Sequence, residues 1–76
     1  MKELLTIIIK NLVDNVDEVS IEEKQNEKSI CYEVKVAQAD MGKVIGRQGK
    51  NAKSIRSVMK AVASKEHKRV TVEFLD

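Results

Sequence analysis

Val44-Ile45-Gly46-Arg47-Gln48-Gly49-Lys50 decides how the chain reads, because two glycines here bracket a basic and an amide side chain between two segments of helical pattern. Glycines at this spacing let the backbone turn through conformations closed to other residues, and they leave no Cβ to keep a ligand's backbone at a distance. If the next helix starts between Gly49 and Asn51, its first amides lack intrahelical partners and can face an anion. Arg47 and Lys50 add formal charge to that partial charge. The pattern suits a phosphate, and one carried by a polymer. Two other glycine motifs come close and fail at the same position: a dinucleotide fingerprint and a nucleotide P-loop would each need glycine where Val44 stands, and the P-loop would also need Ser or Thr in place of Asn51.

Working outward, Asp40 is placed to cap a short helix from Met41 to Ile45, which Gly46 ends. From Lys50 to about Glu66 the period is helical again, with Ala52, Ile55, Val58, Met59, Val62 and Ala63 on one face, which is read as core. Lys50, Lys53, Arg56 and Lys60 make an adjoining stripe. Residues 41 to 65 carry seven cations and no acid, whereas residues 1 to 40 hold five lysines against nine acids. The net charge of +2 therefore hides a positive field confined to the segment with the glycine loop. Read alone, the stripe is as well explained by a solvated lysine face.

Before this segment, Lys2 to Asn15 places Leu4, Leu5, Ile8, Leu12 and Val13 at helical intervals, with Ile7 and Ile9 widening the apolar face and Asn15 as a C-terminal cap. A strand competes, since Thr6 to Ile9 is β-branched throughout, but the length favours helix. Glu18 to Lys24 and Ile30 to Val36 alternate as strands around a polar turn at Gln25 to Ser29, and Arg69 to Leu75 alternates as a third strand. The order is α-β-β-α-α-β, an α+β fold with helices on one face of a three-stranded sheet.

The core signature, Gly42 to Lys50 followed by Ile55, resembles the KH domain, whose G-x-x-G loop joins two helices and clamps the backbone of about four single-stranded nucleotides. The element order resembles the type II, or prokaryotic, version of that fold. From Lys2 to Leu75 the chain is similar to the small stand-alone bacterial KH proteins, the KhpA family of RNA chaperones. The resemblance implies that Gly46, Arg47, Gln48, Gly49, Lys50 and Lys53 hold single-stranded RNA by its backbone. Its bases would lie in an aliphatic groove between Val44, Ile45 and Ile55 on one wall and Val70 and Val72 on the other. Lys43, Arg56, Lys60, Lys65, Lys68 and Arg69 would add positive charge, the last three of these at the far rim. Degenerate members of the family carry acids in the loop; Arg47 and Gln48 fit a working site. The resemblance also implies post-transcriptional regulation connected with cell envelope and cell length, and a homodimer or a heterodimer with a larger KH protein, which would raise the avidity of a small site.

Other classes are disfavoured. At 76 residues the chain is read as one domain, which buries only about 60% of its unfolded surface and has little room for a catalytic cavity. His67, the only histidine, lies among charged residues with no nucleophile at a convincing spacing, and no cluster has metal-ligand spacing, so neither an enzyme nor a cofactor or metal site is expected. One cysteine, Cys31, fits a reducing compartment as a half-buried strand residue. Leu4 to Ile9 is too short to span a membrane and lacks the features of a signal peptide, so a cytoplasmic location is expected. Tyr32 and Phe74, the only aromatics, fall on the buried strand faces, which argues against stacking modules. Three alternatives stay open: a helix-turn-helix DNA reader, favoured by the helix, glycine turn and basic helix but not by the strands around them; a protein-interaction module resting on the first helix; and a plain tight turn with Gly46 as a left-handed cap.

Overall fold

The computed structural model describes residues 1–75. Helix α1 (Lys2–Leu12) leads through a 3-10 turn at Val16–Glu18 into strands β1 (Ser20–Gln25) and β2 (Ser29–Lys35). A second 3-10 turn, Gln38–Asp40, precedes α2 (Met41–Ile45), and a third, Arg47–Gly49, separates it from the long helix α3 (Lys50–Lys65); β3 (Arg69–Leu75) follows. The α-β-β-α-α-β order is the expected one. The sheet order is β1-β2-β3, with β1 antiparallel to β2 and β3 parallel to it. A helix-turn-helix reader is set aside by this sheet, on which the basic helix rests.

β2 is central, and its alternation sends Ile30, Tyr32 and Val34 into the core, each at most 4% exposed. Leu5 and Ile9 of α1, Val44 of α2, and Ile55 and Met59 of α3 pack on that face. Burying a side chain of this size stabilises by about 1.5–3 kcal/mol, so these few positions hold most of a small core together. The Tyr32 hydroxyl is buried without a hydrogen-bond partner among the described residues, and its burial, with Glu23 opposite it on β1, pushes its pKa up. The β1–β2 turn is set by Asn26, whose Oδ1 accepts from the amides of Lys28 and Ser29 at 3.0 and 2.9 Å.

Several local expectations are corrected. α1 stops at Leu12, three residues before Asn15, because Val13 turns extended (φ −102°, ψ 158°) to reach the core. Asn15 does not cap α1, whose C-cap is Val13; its amide and its Nδ2 donate to Asp40 Oδ2, both at 3.0 Å. Asp40 in turn makes no side-chain cap to α2, since its carboxylate, 1% exposed, also takes the Asp14 amide at 3.2 Å. The carboxylate is thus a strap between the α1–β1 connection and α2, and the Asn15 amide chiefly holds its pKa below the usual range. β1 and β2 are shifted from their expected bounds by one or two residues, and α3 ends one residue early. Val58, assigned to the core face of α3, is 43% exposed because no element covers it, and Phe74 is only partly buried.

α3 ends in a Schellman arrangement without glycine. Lys68 N donates to Ala63 O and His67 N to Ser64 O, both at 3.0 Å, and His67 takes the left-handed position at φ 58°.

Candidate nucleic-acid interface

The loop between α2 and α3 holds three residues at positive φ. Gly46 stands at φ 76°, ψ 173°, Gln48 at φ 57°, ψ 25°, and Gly49 at φ 75°, ψ 15°. The Gly46 conformation is not a left-handed cap but one essentially reserved for glycine. A Cβ there would lie 2.8 Å from Asn51 Cγ and 2.9 Å from the Asn51 backbone nitrogen, so both backbone and space demand glycine. At Gly49 the space is open and only the backbone makes the demand.

Three loop amides are used internally: Gly46 N donates to Gly42 O at 2.9 Å, Gly49 N to Gly46 O at 3.1 Å, and Lys50 N to Arg47 O. The amides of Arg47 and Gln48 have no backbone acceptor among the described residues, and both side chains are exposed. The loop therefore presents two amides beside one guanidinium, at the N-terminus of a 16-residue helix whose macrodipole adds positive partial charge.

Beyond the loop, α3 and β3 enclose a groove. Two adjoining depressions, of about 720 and 200 Å³, share Lys60, Val70 and Thr71. The larger reaches past Ser64 and His67 to Lys68 and Arg69; the smaller ends between Arg56 and Val72. Since Arg69 N is bonded to Lys28 O on the β2 side, the alternation of a strand turns the polar backbone of Val70, Val72 and Phe74 towards the outer edge beside this groove. Arg56 reaches that edge: its Nε donates to Val72 O at 3.1 Å and its guanidinium lies 5.3 Å from the centroid of Phe74.

The residues expected from sequence fall into three groups. Gly46, Arg47, Gln48, Gly49, Lys50 and Lys53 gather at the head of α3, the four side chains exposed. Val44, Ile55 and Val72 are 0%, 4% and 3% exposed and belong to the core, leaving Ile45 and Val70 as the partly accessible aliphatics. Of the auxiliary cations, Lys60, Lys68 and Arg69 line the groove and Lys65 is exposed at the end of α3, whereas Lys43 is turned the other way. Its ammonium pairs with Asp14 and lies 3.7 Å from Asp40, and these carboxylates, Asp14 foremost, raise its pKa. Ser64 and Thr71 line the groove unannounced by sequence, because neither belongs to a charge or glycine pattern. No group of metal-ligating side chains occurs among the described residues, and no helix among them is long and apolar enough to cross a membrane.

A G-x-x-G loop between two short-linked helices, on one face of a sheet ordered in this way, defines a KH domain of type II. The family model described as "KhpA/KhpB, KH domain" matches residues 2–74. The chain is 59% identical to the RNA-binding protein KhpA of Clostridium acetobutylicum, over 99% of this chain and 100% of that protein. It is 55% identical to the protein of the same name from Clostridium perfringens, with the same coverage, and 47% identical to that of Chlamydia pneumoniae, over 100% of this chain and 97% of that protein. No solved structure matches. The chain belongs to the KhpA/KhpB family of KH domains, which is not a family of enzymes.

Proposed function

We propose that the chain binds single-stranded RNA, with the phosphate backbone held at Gly46 to Lys50 and the bases directed into the α3–β3 groove. The observation that carries this reading is the pair of amides, Arg47 and Gln48, without a backbone acceptor among the described residues, set beside exposed cations in a segment without an acid. The names of the relatives, RNA-binding protein KhpA, support it. A backbone phosphate would take the two amides and the Arg47 guanidinium, with Lys50 and Lys53 following along the helix. Val44, Ile55 and Val72 would form the floor beneath the groove, while Ile45 and Val70 would meet the bases. Lys60, Lys68 and Arg69 would hold the chain where it leaves. Affinity would be electrostatic and sequence-tolerant, as an RNA chaperone or a post-transcriptional regulator in the cytoplasm requires.

The test is binding of a fluorescent single-stranded RNA to the wild type and to an Arg47→Asp/Gln48→Asp variant across a salt series, with circular dichroism to verify folding. The wild type is expected to bind with a negative salt slope, and the folded variant to lose at least about two orders of magnitude. Equal binding by both, or binding by neither, would remove the clamp.

Self-association is a second reading with its own observation. Ile7 is 59% exposed, and beside it Ile8, Leu12 and Ile55 line an apolar depression of about 400 Å³ between α1 and α3, with Val58 one turn further along the same helix. A second KH domain, in another copy or in a larger protein, would cover this face and bring two loops to one RNA. Sedimentation equilibrium decides between them: a protein that stays monomeric at high concentration argues against the homodimer.

A further inference from the structure

We infer that Asn51 is a positioning residue, which holds the G-x-x-G loop in its anion-accepting shape without itself touching RNA. The inference rests on the phosphate-clamp reading of the loop. Helix α2 has only five residues, too few to persist alone, and its last carbonyls have no partners within the helix. One of them, Lys43 O, accepts a hydrogen bond from Asn51 Nδ2 at 2.8 Å. That bond joins the end of α2 to the first turn of α3 across the loop, bypassing Gly46 to Gly49.

The same side chain sits against Gly46. The Cγ and Cβ of Asn51 fill the space that any Cβ at position 46 would require. The approach of Asn51 and the sharp turn at Gly46 are therefore two sides of one arrangement. Lys43 is held at both ends, its carbonyl by Asn51 and its ammonium by Asp14 and Asp40. A continuous set of contacts thus runs from the α1–β1 connection through α2 to α3, and the loop hangs between its last two members. Asn51 is half-buried and lines the α1–α3 depression instead of the α3–β3 groove, which places it behind the loop.

Asn51→Leu separates positioning from contact, since leucine keeps the branching at Cγ and the charge but cannot donate to Lys43 O. Affinity for a fluorescent single-stranded RNA should fall about five- to tenfold through the lost bond and the loosened loop. The slope of log affinity against log salt should stay at the wild-type value, because no phosphate contact is removed. Hydrogen exchange at the Gly46, Gly49 and Lys50 amides should quicken while the amides of β2 and β3 keep wild-type rates. Asn51→Ala should move both readouts in the same direction and serves if the leucine variant fails to fold.

Unchanged affinity and unchanged loop exchange would overturn the inference. So would weaker binding with unchanged loop exchange, since Asn51 would then be a direct contact. If the wild type does not bind RNA, the clamp reading fails on its own, and the exchange rates still decide whether Asn51 holds the loop.

Discussion

Arg56 and Phe74 are tied across the gap between α3 and the outer strand, with the guanidinium 5.3 Å from the ring centroid and its Nε on the neighbouring Val72 carbonyl. The cation that sequence assigns to the nucleic-acid stripe therefore also closes part of an exposed strand edge. Arg56→Ala should destabilise by about 1–2 kcal/mol in urea melts, combining a hydrogen bond with a cation–π contact. Arg56→Lys keeps the charge but loses the planar donor and should still cost about 1 kcal/mol. Because this guanidinium is already occupied, its removal should change the salt dependence of RNA binding less than removal of Lys50 or Lys53.

The three glycines should respond to alanine in three different ways. Gly46→Ala meets both the Asn51 backbone and a glycine-only conformation, and should cost about 2–4 kcal/mol. Gly49→Ala has open space and only a left-handed φ of 75°, for about 1–2 kcal/mol. Gly42 lies in α2 with nothing within 4 Å of a built Cβ, so Gly42→Ala should stabilise by about 0.5–1 kcal/mol. Urea titration of the three variants checks the ranking; a stabilising Gly46→Ala would contradict the loop geometry.

At the other end of α3, His67 occupies a position that glycine fills at far lower conformational cost. His67→Gly should raise stability by about 0.5–1 kcal/mol, the relief of strain exceeding the added freedom of the unfolded chain. Thermal unfolding would show it as a higher midpoint.

Asp40 sets an acid-side limit. Its folded-state pKa is depressed, first by the Asn15 amide, so the stability it confers is present above the ordinary aspartate value near about 3.9 and is lost as pH falls through the folded value. Urea midpoints should hold level from neutral pH to about 5 with respect to this group and decline below about 4. Asp40→Asn should be less stable at neutral pH, and its acid decline should be shallower by up to about one proton. An unaltered slope would mean that other carboxylates carry the acid transition.

Elements marked by their own punctuation were legible in sequence. α2 lies between Asp40 and Gly46, and β3 is an uninterrupted alternation; both occupy the expected residues. What sequence could not display depends on partners distant along the chain. Val13 keeps the helical period yet leaves the helix, because the core beneath it offers more than another turn. Asp40 and Asn15 have the chemistry of caps, but they meet each other first. Val58 fits the apolar face of α3, and nothing in a period tells which part of that face α1 leaves uncovered. Lys43 reads as one more cation of the acid-free segment, and Arg56 as a member of its stripe, until their neighbours Asp14 and Val72 are known. Asn51 has no sequence signal at all, since its role comes from a backbone carbonyl eight residues earlier.

The parallel pairing of β2 with β3, from Ser29 with Arg69 to Lys35 with Leu75, makes everything between them a closed loop of chain that contains α2, the glycine turn and α3. Such a pair forms late in folding, because the entropy of closing a long loop must be met before its contacts form. The phosphate-facing turn lies inside that closed loop, so its packing against the sheet is complete only once β3 has paired with β2. A bound RNA would then act as a latch on the entire fold, and RNA at a hundredfold excess over its dissociation constant would add about 2.7 kcal/mol to the stability of every strand and helix at once.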